Sequence, residues 1–388
     1  MRIAVFGGSF NPPHKGHLNS ALAAARQLQP DKFFVIPDYL PPHKELAEGS
    51  PTPQQRLELC RLNFAAVPHA EVSDLEIARG GKSYTADTLR ELHERYPDAE
   101  LVLLVGTDML LTLDQWYNAE YILQNCTVAP FQRAPEELAT IKEKSALLQH
   151  TYGTKIEVIR STPFSASSTE IRAALTQRGG RELLTDAVYG YIIRSRLYGA
   201  KVNFDWLREK SYAMLKPKRI PHVRGCEEEA VRLAERWGAD PEQAAVAAIL
   251  HDCTKKENGE SQLALCRKYG IEADIVERGS EKLLHAKTGA AIAEQEFGAD
   301  TEAVSAIRWH TTGRANMSLL EKIIYMADYI EPNRDFPGVE KLRALAYEDL
   351  DKAMRLGFEM SLEDIRSYGI EPHTATLQAL AYYSGERE

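Results

Sequence analysis

The run Leu101-Val102-Leu103-Leu104-Val105 contains no polar residue, and this restricts the fold more than any other feature of the chain. A strand with one wet face alternates apolar and polar residues. A run that is apolar throughout is buried on both faces, as inside a parallel sheet covered by helices. Strand-like segments recur at residues 3–6, 33–36, 72–77, 126–129 and 156–159. Helical segments lie between them, at 18–25, 53–66 and 83–96, the last stopped by Pro97. Strands alternating with helices predict a doubly wound, Rossmann-like α/β fold with a parallel sheet. Ligands then sit beyond the carboxyl ends of the strands.

Around Gly199-Ala200-Lys201-Val202-Asn203 the pattern breaks, and strand signals nearly vanish. Helical segments follow at 227–237, 241–250, 285–297, 301–309, 319–330 and 347–359. The 388 residues therefore read as two domains, an α/β domain over 1–200 and an all-α domain over 201–388. No apolar span is long enough to cross a membrane and no signal-peptide pattern opens the chain, so a cytoplasmic location without a membrane partner is expected. The odd count of five cysteines, without CxxC spacing, argues against a disulfide framework or a zinc finger. A net charge of −9 disfavours a nucleic-acid surface but allows a phosphate-bearing ligand in a locally basic pocket. A homo-oligomer is compatible with all of this.

After the first strand comes Gly7-Gly8-Ser9-Phe10-Asn11-Pro12-Pro13-His14-Lys15-Gly16-His17, then a helical segment. A glycine-rich turn between a strand and a helix N-terminus aims backbone N–H groups and the positive helix end at an anion. Gly7 and Gly8 allow close approach. His14 and His17, three residues apart, can both face one phosphate chain. A second cluster is Ser167-Ser168-Thr169-Glu170-Ile171-Arg172. Ser167 and Glu170 read as a capping box, which leaves Arg172 and the remaining hydroxyls unexplained.

The first run resembles the GxFxPxHxGH signature of the HxGH nucleotidyltransferases, with Gly8, Phe10, Pro12, His14, Gly16 and His17 in register. The second resembles the SSTxIR motif of the same family. The resemblance implies that Gly7, Gly8, Ser9, Phe10, His14, His17, Ser167, Ser168, Thr169 and Arg172 bind ATP, which carries Mg²⁺. His14, His17 and Arg172 would stabilise the charge on departing pyrophosphate. Adenylyl transfer is an in-line displacement, so the protein mainly positions and neutralises, and an imidazole can donate a hydrogen bond or supply a charge. Tyr84 and Thr85 lie in a segment similar to the one with which nicotinate-mononucleotide adenylyltransferases hold the pyridine carboxylate, and a helix N-terminus suits that group. Gly106-Thr107-Asp108 followed by Trp116 resembles the segment where an aspartate meets the adenosine or ribose and an aromatic stacks on the pyridine. Taken alone, Trp116 reads as a core or rim tryptophan. Lys44 matches a position near the substrate phosphate. Another acceptor such as phosphopantetheine is the alternative, and Tyr84, Thr85 and Trp116 weigh against it.

In the second half His222, the adjacent His251-Asp252, His285, His310 and Asp328 punctuate the helices or their ends. Neighbours on a helix point about 100° apart, so an adjacent ligand pair is better placed at a helix end. These imidazoles and carboxylates suffice for two metals of borderline hardness, iron, manganese or zinc. Cys253 is expected to pack. The pattern resembles the HD phosphohydrolases, with His285 and His310 as the extra ligands of binuclear members. The segments at 284–290, 310–314 and 327–334 are similar to bacterial HD-domain symmetrical diadenosine tetraphosphatases, which split their substrate into two ADP. The resemblance implies metal-assisted hydrolysis at two ions, iron foremost, about 3.5–4 Å apart. Lys255 and Arg334 would neutralise the polyphosphate, and Lys255 would be catalytic. The whole chain is expected to transfer AMP from ATP to nicotinate mononucleotide and to hydrolyse diadenosine tetraphosphate. For the second half, another nucleotide phosphohydrolase and a catalytically silent nucleotide sensor stand as alternatives.

Overall fold

The computed structural model describes residues 1–42, 45–132 and 134–385; the expectation for Lys44 lies outside them. The chain divides into two compact units, Met1–Lys201 and Val202–Glu388.

Among the described residues the first unit holds six parallel strands: β1 (Arg2–Gly8), β2 (Lys32–Pro37), β3 (Ala70–Val72), β4 (Glu100–Gly106), β5 (Thr127–Phe131) and β6 (Lys155–Ile156). Their order is β3-β2-β1-β4-β5-β6, as a doubly wound sheet requires. At the centre Val5 of β1 stands opposite Phe34 of β2 and Leu103 of β4. Successive side chains of a strand point to opposite faces. Ile3, Val5, Leu101 and Leu103 therefore enter one core, and Ala4, Phe6, Val102 and Leu104 enter the other. That double burial is why the runs carry no polar residue. Strand order reverses between β1 and β4, which opens a crevice beyond their carboxyl ends.

The described part of the second unit consists of helices and their connections. Helix Ile220–Trp237 packs against both Pro241–Leu250 and Leu319–Ile330. Pro241–Leu250 starts on an Asp240 cap with proline in its first turn and buries Ala244, Ala245, Ala247 and Ala248. Such small side chains let neighbouring helices close in around it. No described helix is long and apolar enough to cross a membrane.

Local expectations fail at the starts of helices. The segment 72–77 is not one strand: β3 ends at Val72, and helix Leu75–Arg79 begins after Asp74 and closes at Gly80, whose φ is +69°. The segment 347–359 is two helices, Val339–Glu348 and Leu350–Ser367. Asp349 is extended between them and accepts a hydrogen bond from Lys352 N. The segment 156–159 keeps only β6 and an isolated bridge between Phe131 and Ile159. Ser167 caps helix Ser168–Leu175 through Glu170 N, but its hydroxyl donates to Glu170 Oε2, so the reciprocal half of the expected capping box is not formed.

Leu103 is 2% exposed in the middle of the sheet. Leu103→Ala should destabilise the Met1–Lys201 unit by about 2–5 kcal/mol, read from urea unfolding. A loss under about 0.5 kcal/mol would mean that this position is not in a packed core.

Candidate functional site

In the first unit the crevice is a cavity of about 520 Å³. The expected glycine-loop residues Gly7, Gly8, Ser9, Phe10, His14 and His17 line it. So do Gly106 and Asp108 after β4, Ser167, Ser168, Thr169 and Arg172, and Tyr84, Thr85 and Trp116. Trp116 also packs on the core beneath, so its packing and cavity-lining readings coexist.

The two histidines close the end of helix Lys15–Leu28. His14 Nδ1 accepts from Gly16 N at 3.2 Å, and His17 Nδ1 accepts from His14 N at 3.2 Å. This is a capping box built from imidazoles. It explains the spacing, because the reciprocal bonds require residues three apart. It also explains Gly16: a Cβ there would lie 3.0 Å from the His14 ring. With Nδ1 accepting, each neutral ring carries its proton on Nε2 and is a donor there. The rings lie 3.8 Å apart.

The second motif is fastened to the first. Arg172 Nη1 donates to Asn11 O at 2.7 Å, and Ser168 Oγ to Pro12 O at 2.9 Å. Tyr198 Oη donates to Asn11 Oδ1 at 2.9 Å. Sequence reasoning missed Arg56 and Asp38. The Arg56 side chain is fully buried and donates to Asp38 Oδ1 at 2.9 Å, Ser9 O at 3.0 Å and Tyr39 O at 3.0 Å. Asp38 Oδ2 accepts from Ser9 Oγ at 2.7 Å. These bonds hold the glycine loop against the residues after β2. A lone arginine on a mixed-composition helix gives no sequence signal for this role.

In the second unit His222, His251, Asp252, His285, His310 and Asp328 converge. His251 ends helix Pro241–Leu250 and Asp252 follows it, so the adjacent pair does turn inward together. Asp252 is fully buried and faces two ways. Its Oδ1 lies 3.1 Å from His285 Nε2 and 3.8 Å from His310 Nε2; its Oδ2 lies 3.5 Å from His251 Nε2. Asp328 Oδ1 lies 3.0 Å from His222 Nε2. Cys253 is buried against Gly289, packing as expected.

The Nδ1 partners show what this cage accepts. His251 Nδ1 lies 2.6 Å from Ala248 O, and His310 Nδ1 2.6 Å from Ile307 O. His222 Nδ1 lies 3.0 Å from Glu331 Oε1. Against those acceptors Nδ1 carries the proton, so in the neutral rings Nε2 turns a lone pair inward. Burial opposes the charged form of His251, but Asp252 and Cys226 beside it raise its pKa well above the ordinary imidazole value, so a bound cation there would replace a proton on Nε2. Lone pairs facing two carboxylates, with Asp252 Oδ1 buried and lacking a hydrogen-bond partner, form a donor set that only cations satisfy. Burial holds His310 well below its ordinary pKa and also lowers His285, which favours the ligating neutral form. Burial opposes the ionised form of Asp252, yet His251 and His285 keep its carboxyl well below the usual range. The set fits divalent metals.

Lys255 Nζ lies 2.9 Å from His285 Nε2 and 3.5 Å from Asp252 Oδ1. Arg334 Nη2 donates to Asp328 Oδ1 at 2.8 Å. Two further participants escaped the sequence. Arg219 Nε donates to Asp252 Oδ2. Glu331, which holds His222, is itself held by Asn333 N at 2.7 Å and Nδ2 at 2.8 Å, and Gly225 leaves no room for a Cβ against it.

Comparison with known proteins matches a different family to each half of the chain. The family described as cytidylyltransferase-like matches residues 5–174, and the HD domain matches residues 219–333. A probable nicotinate-nucleotide adenylyltransferase of Citrifermentans bemidjiense is 38% identical over 215 residues, covering 51% of this chain and 98% of that protein. A symmetrical bis(5'-nucleosyl)-tetraphosphatase of Halalkalibacterium halodurans is 48% identical over 152 residues, covering 38% of this chain and 81% of that protein. A Mycoplasma genitalium protein named probable nicotinate-nucleotide adenylyltransferase/Ap4A hydrolase is 28% identical over 338 residues, covering 86% of this chain and 88% of that protein.

Arg56→Ala strands the Asp38 carboxylate and two carbonyl groups, and should cost the first unit about 3–5 kcal/mol in urea unfolding, with a raised KM for ATP. Wild-type stability and KM in that variant would show that the loop is held by other means. Glu331→Gln should weaken metal binding roughly 10–100-fold in a chelator competition, with helix content retained. An unaltered affinity would detach Glu331 from the centre.

Proposed function

The chain belongs to the nicotinate-nucleotide adenylyltransferase family in its first half and to the symmetrical bis(5'-nucleosyl)-tetraphosphatase family in its second, and on that footing we propose that it is a bifunctional cytoplasmic enzyme. The first unit transfers AMP from ATP to nicotinate mononucleotide, releasing pyrophosphate and nicotinate adenine dinucleotide. The second unit adds water to diadenosine tetraphosphate and yields two ADP. The observation that supports this reading is the opposite set of Nδ1 partners in the two histidine groups: backbone N–H donors in a helix-end crevice, backbone carbonyls around buried carboxylates.

In the first reaction the acceptor phosphate is already ionised, so no general base is required. His14, His17 and Arg172 meet the negative charge that grows on pyrophosphate, with Mg²⁺ accompanying ATP. Thr85 begins helix Thr85–Arg95, and its N-terminus with Tyr84 receives the pyridine carboxylate. Trp116 offers a face to the ring, and Asp108 a carboxylate to the ribose.

In the second unit His222, His251, Asp252 and Asp328 would hold one ion and Asp252, His285 and His310 a second, iron foremost. Such ions, when bound, polarise the phosphoryl oxygens and acidify water. Asp252 spans the two ligand sets, Glu331 orients His222, and Arg334, anchored on Asp328, neutralises phosphate charge. Lys255 does the same from the opposite set.

With iron or manganese loaded, diadenosine tetraphosphate should give ADP alone, and His251→Ala should abolish this while adenylyl transfer continues. AMP plus ATP would put the cut elsewhere, and no turnover with metal bound would favour a nucleotide sensor. His14→Ala should slow adenylyl transfer by roughly 10²–10³-fold and leave hydrolysis intact. Equal transfer to phosphopantetheine would overturn the acceptor assignment.

A further inference from the structure

Next to the metal cage a second pocket, of about 360 Å³, is lined by Leu215, Lys216, Lys218, Arg219, Lys255 and Lys256. Five of those six residues are cationic and none is acidic, in a chain whose net charge is −9. Among the described residues no carboxylate pairs with Lys216, Lys218 or Lys256. Like charges gathered without counter-charges repel one another, so a cluster of this kind favours a bound polyanion.

The pocket is continuous with the cage through shared residues. Arg219 lines it and donates to Asp252 Oδ2; Lys255 lines it and lies 3.5 Å from Asp252 Oδ1. The same two chain segments supply both sets of groups. The 3₁₀ turn Pro217–Arg219 runs into helix Ile220–Trp237, which carries His222. Lys255 and Lys256 follow His251-Asp252 in the turn after Pro241–Leu250. Lys256 is further directed by a 3.3 Å hydrogen bond to Ala213 O.

We propose that this pocket seats the diphosphate end of the substrate that lies beyond the bond being broken, and thereby selects a four-phosphate chain and its central cleavage. The proposal rests on the hydrolase reading given above. A cut in the middle of four phosphates leaves two on either side. The cage holds the phosphate that is attacked, and the departing nucleoside diphosphate needs cations outside the cage. Lys216, Lys218 and Lys256 provide them, and they steady the charge that the leaving group gains as its P–O bond breaks. A three-phosphate chain reaches this pocket with one phosphate fewer.

The test uses the full, metal-loaded chain and two triple variants, Lys216→Gln/Lys218→Gln/Lys256→Gln and Lys216→Arg/Lys218→Arg/Lys256→Arg. All three lysines are exposed, so the fold and the metal content should persist, and both are measured. In the glutamine variant the KM for diadenosine tetraphosphate should rise roughly tenfold or more, and its dependence on salt should flatten. Calorimetric titration with ADP should weaken in parallel, and the arginine variant should restore both. A glutamine variant with KM and ADP affinity within about twofold of a wild-type chain that does split the tetraphosphate would overturn the proposal and leave the hydrolase reading standing. A wild-type chain that produces no ADP would overturn the hydrolase reading instead, and the ADP titration would still decide whether the lysines bind a nucleoside diphosphate.

Discussion

A hydrogen bond to one imidazole nitrogen decides what the other can do, and both centres are built on that rule. At His14 and His17 the Nδ1 atoms accept from backbone amides, so a neutral ring has only a donor to offer. At His251 and His310 the Nδ1 atoms face backbone carbonyls at helix ends, and at His222 a carboxylate, so a neutral ring offers a lone pair. The N-terminus of one helix and the C-termini of others thus give the same residue type opposite Nδ1 partners, a backbone N–H in one unit and a backbone carbonyl in the other. Secondary structure fixes the chemistry before any ligand arrives.

The doubly wound sheet was legible because burial on both faces removes polar residues from the strands, and Leu101 to Val105 can satisfy no other kind of sheet. The ligand candidates of the second unit were legible as a set because imidazole and carboxylate groups recur along the helices in the order that the HD phosphohydrolase pattern has. What stayed hidden depends on contacts between distant segments. Arg56 reads as a surface charge on a mixed helix, yet it is fully buried and joins Ser9, Asp38 and Tyr39. Arg219 lies in a run of basic residues, and only the fold brings it onto Asp252. The misread boundary at Asp349 has a local cause: a short carboxylate beside a helix former suits a helix interior and a helix start alike, and here it caps a new helix through Lys352 N.

Asp252 concentrates the electrostatics of the second unit. It is buried, yet it stays ionised because imidazoles, Lys255 and Arg219 surround it. Lys255 and Arg219 also line the neighbouring pocket. Neutralising the carboxylate and receiving an anion are therefore tasks of one cluster, and a protein with an acidic surface on average keeps its positive charge where a polyphosphate would meet it.

The imidazole capping box at His14 and His17 bears on how such motifs are inherited. The two rings stop the fraying of a helix that packs on the sheet, whatever the cavity holds. A descendant that abandoned adenylyl transfer would still lose folding stability by discarding them. Selection for a sound helix start would preserve the histidines and the glycine between them long after the chemistry had gone. In this architecture the signature records a way of beginning a helix as well as a reaction.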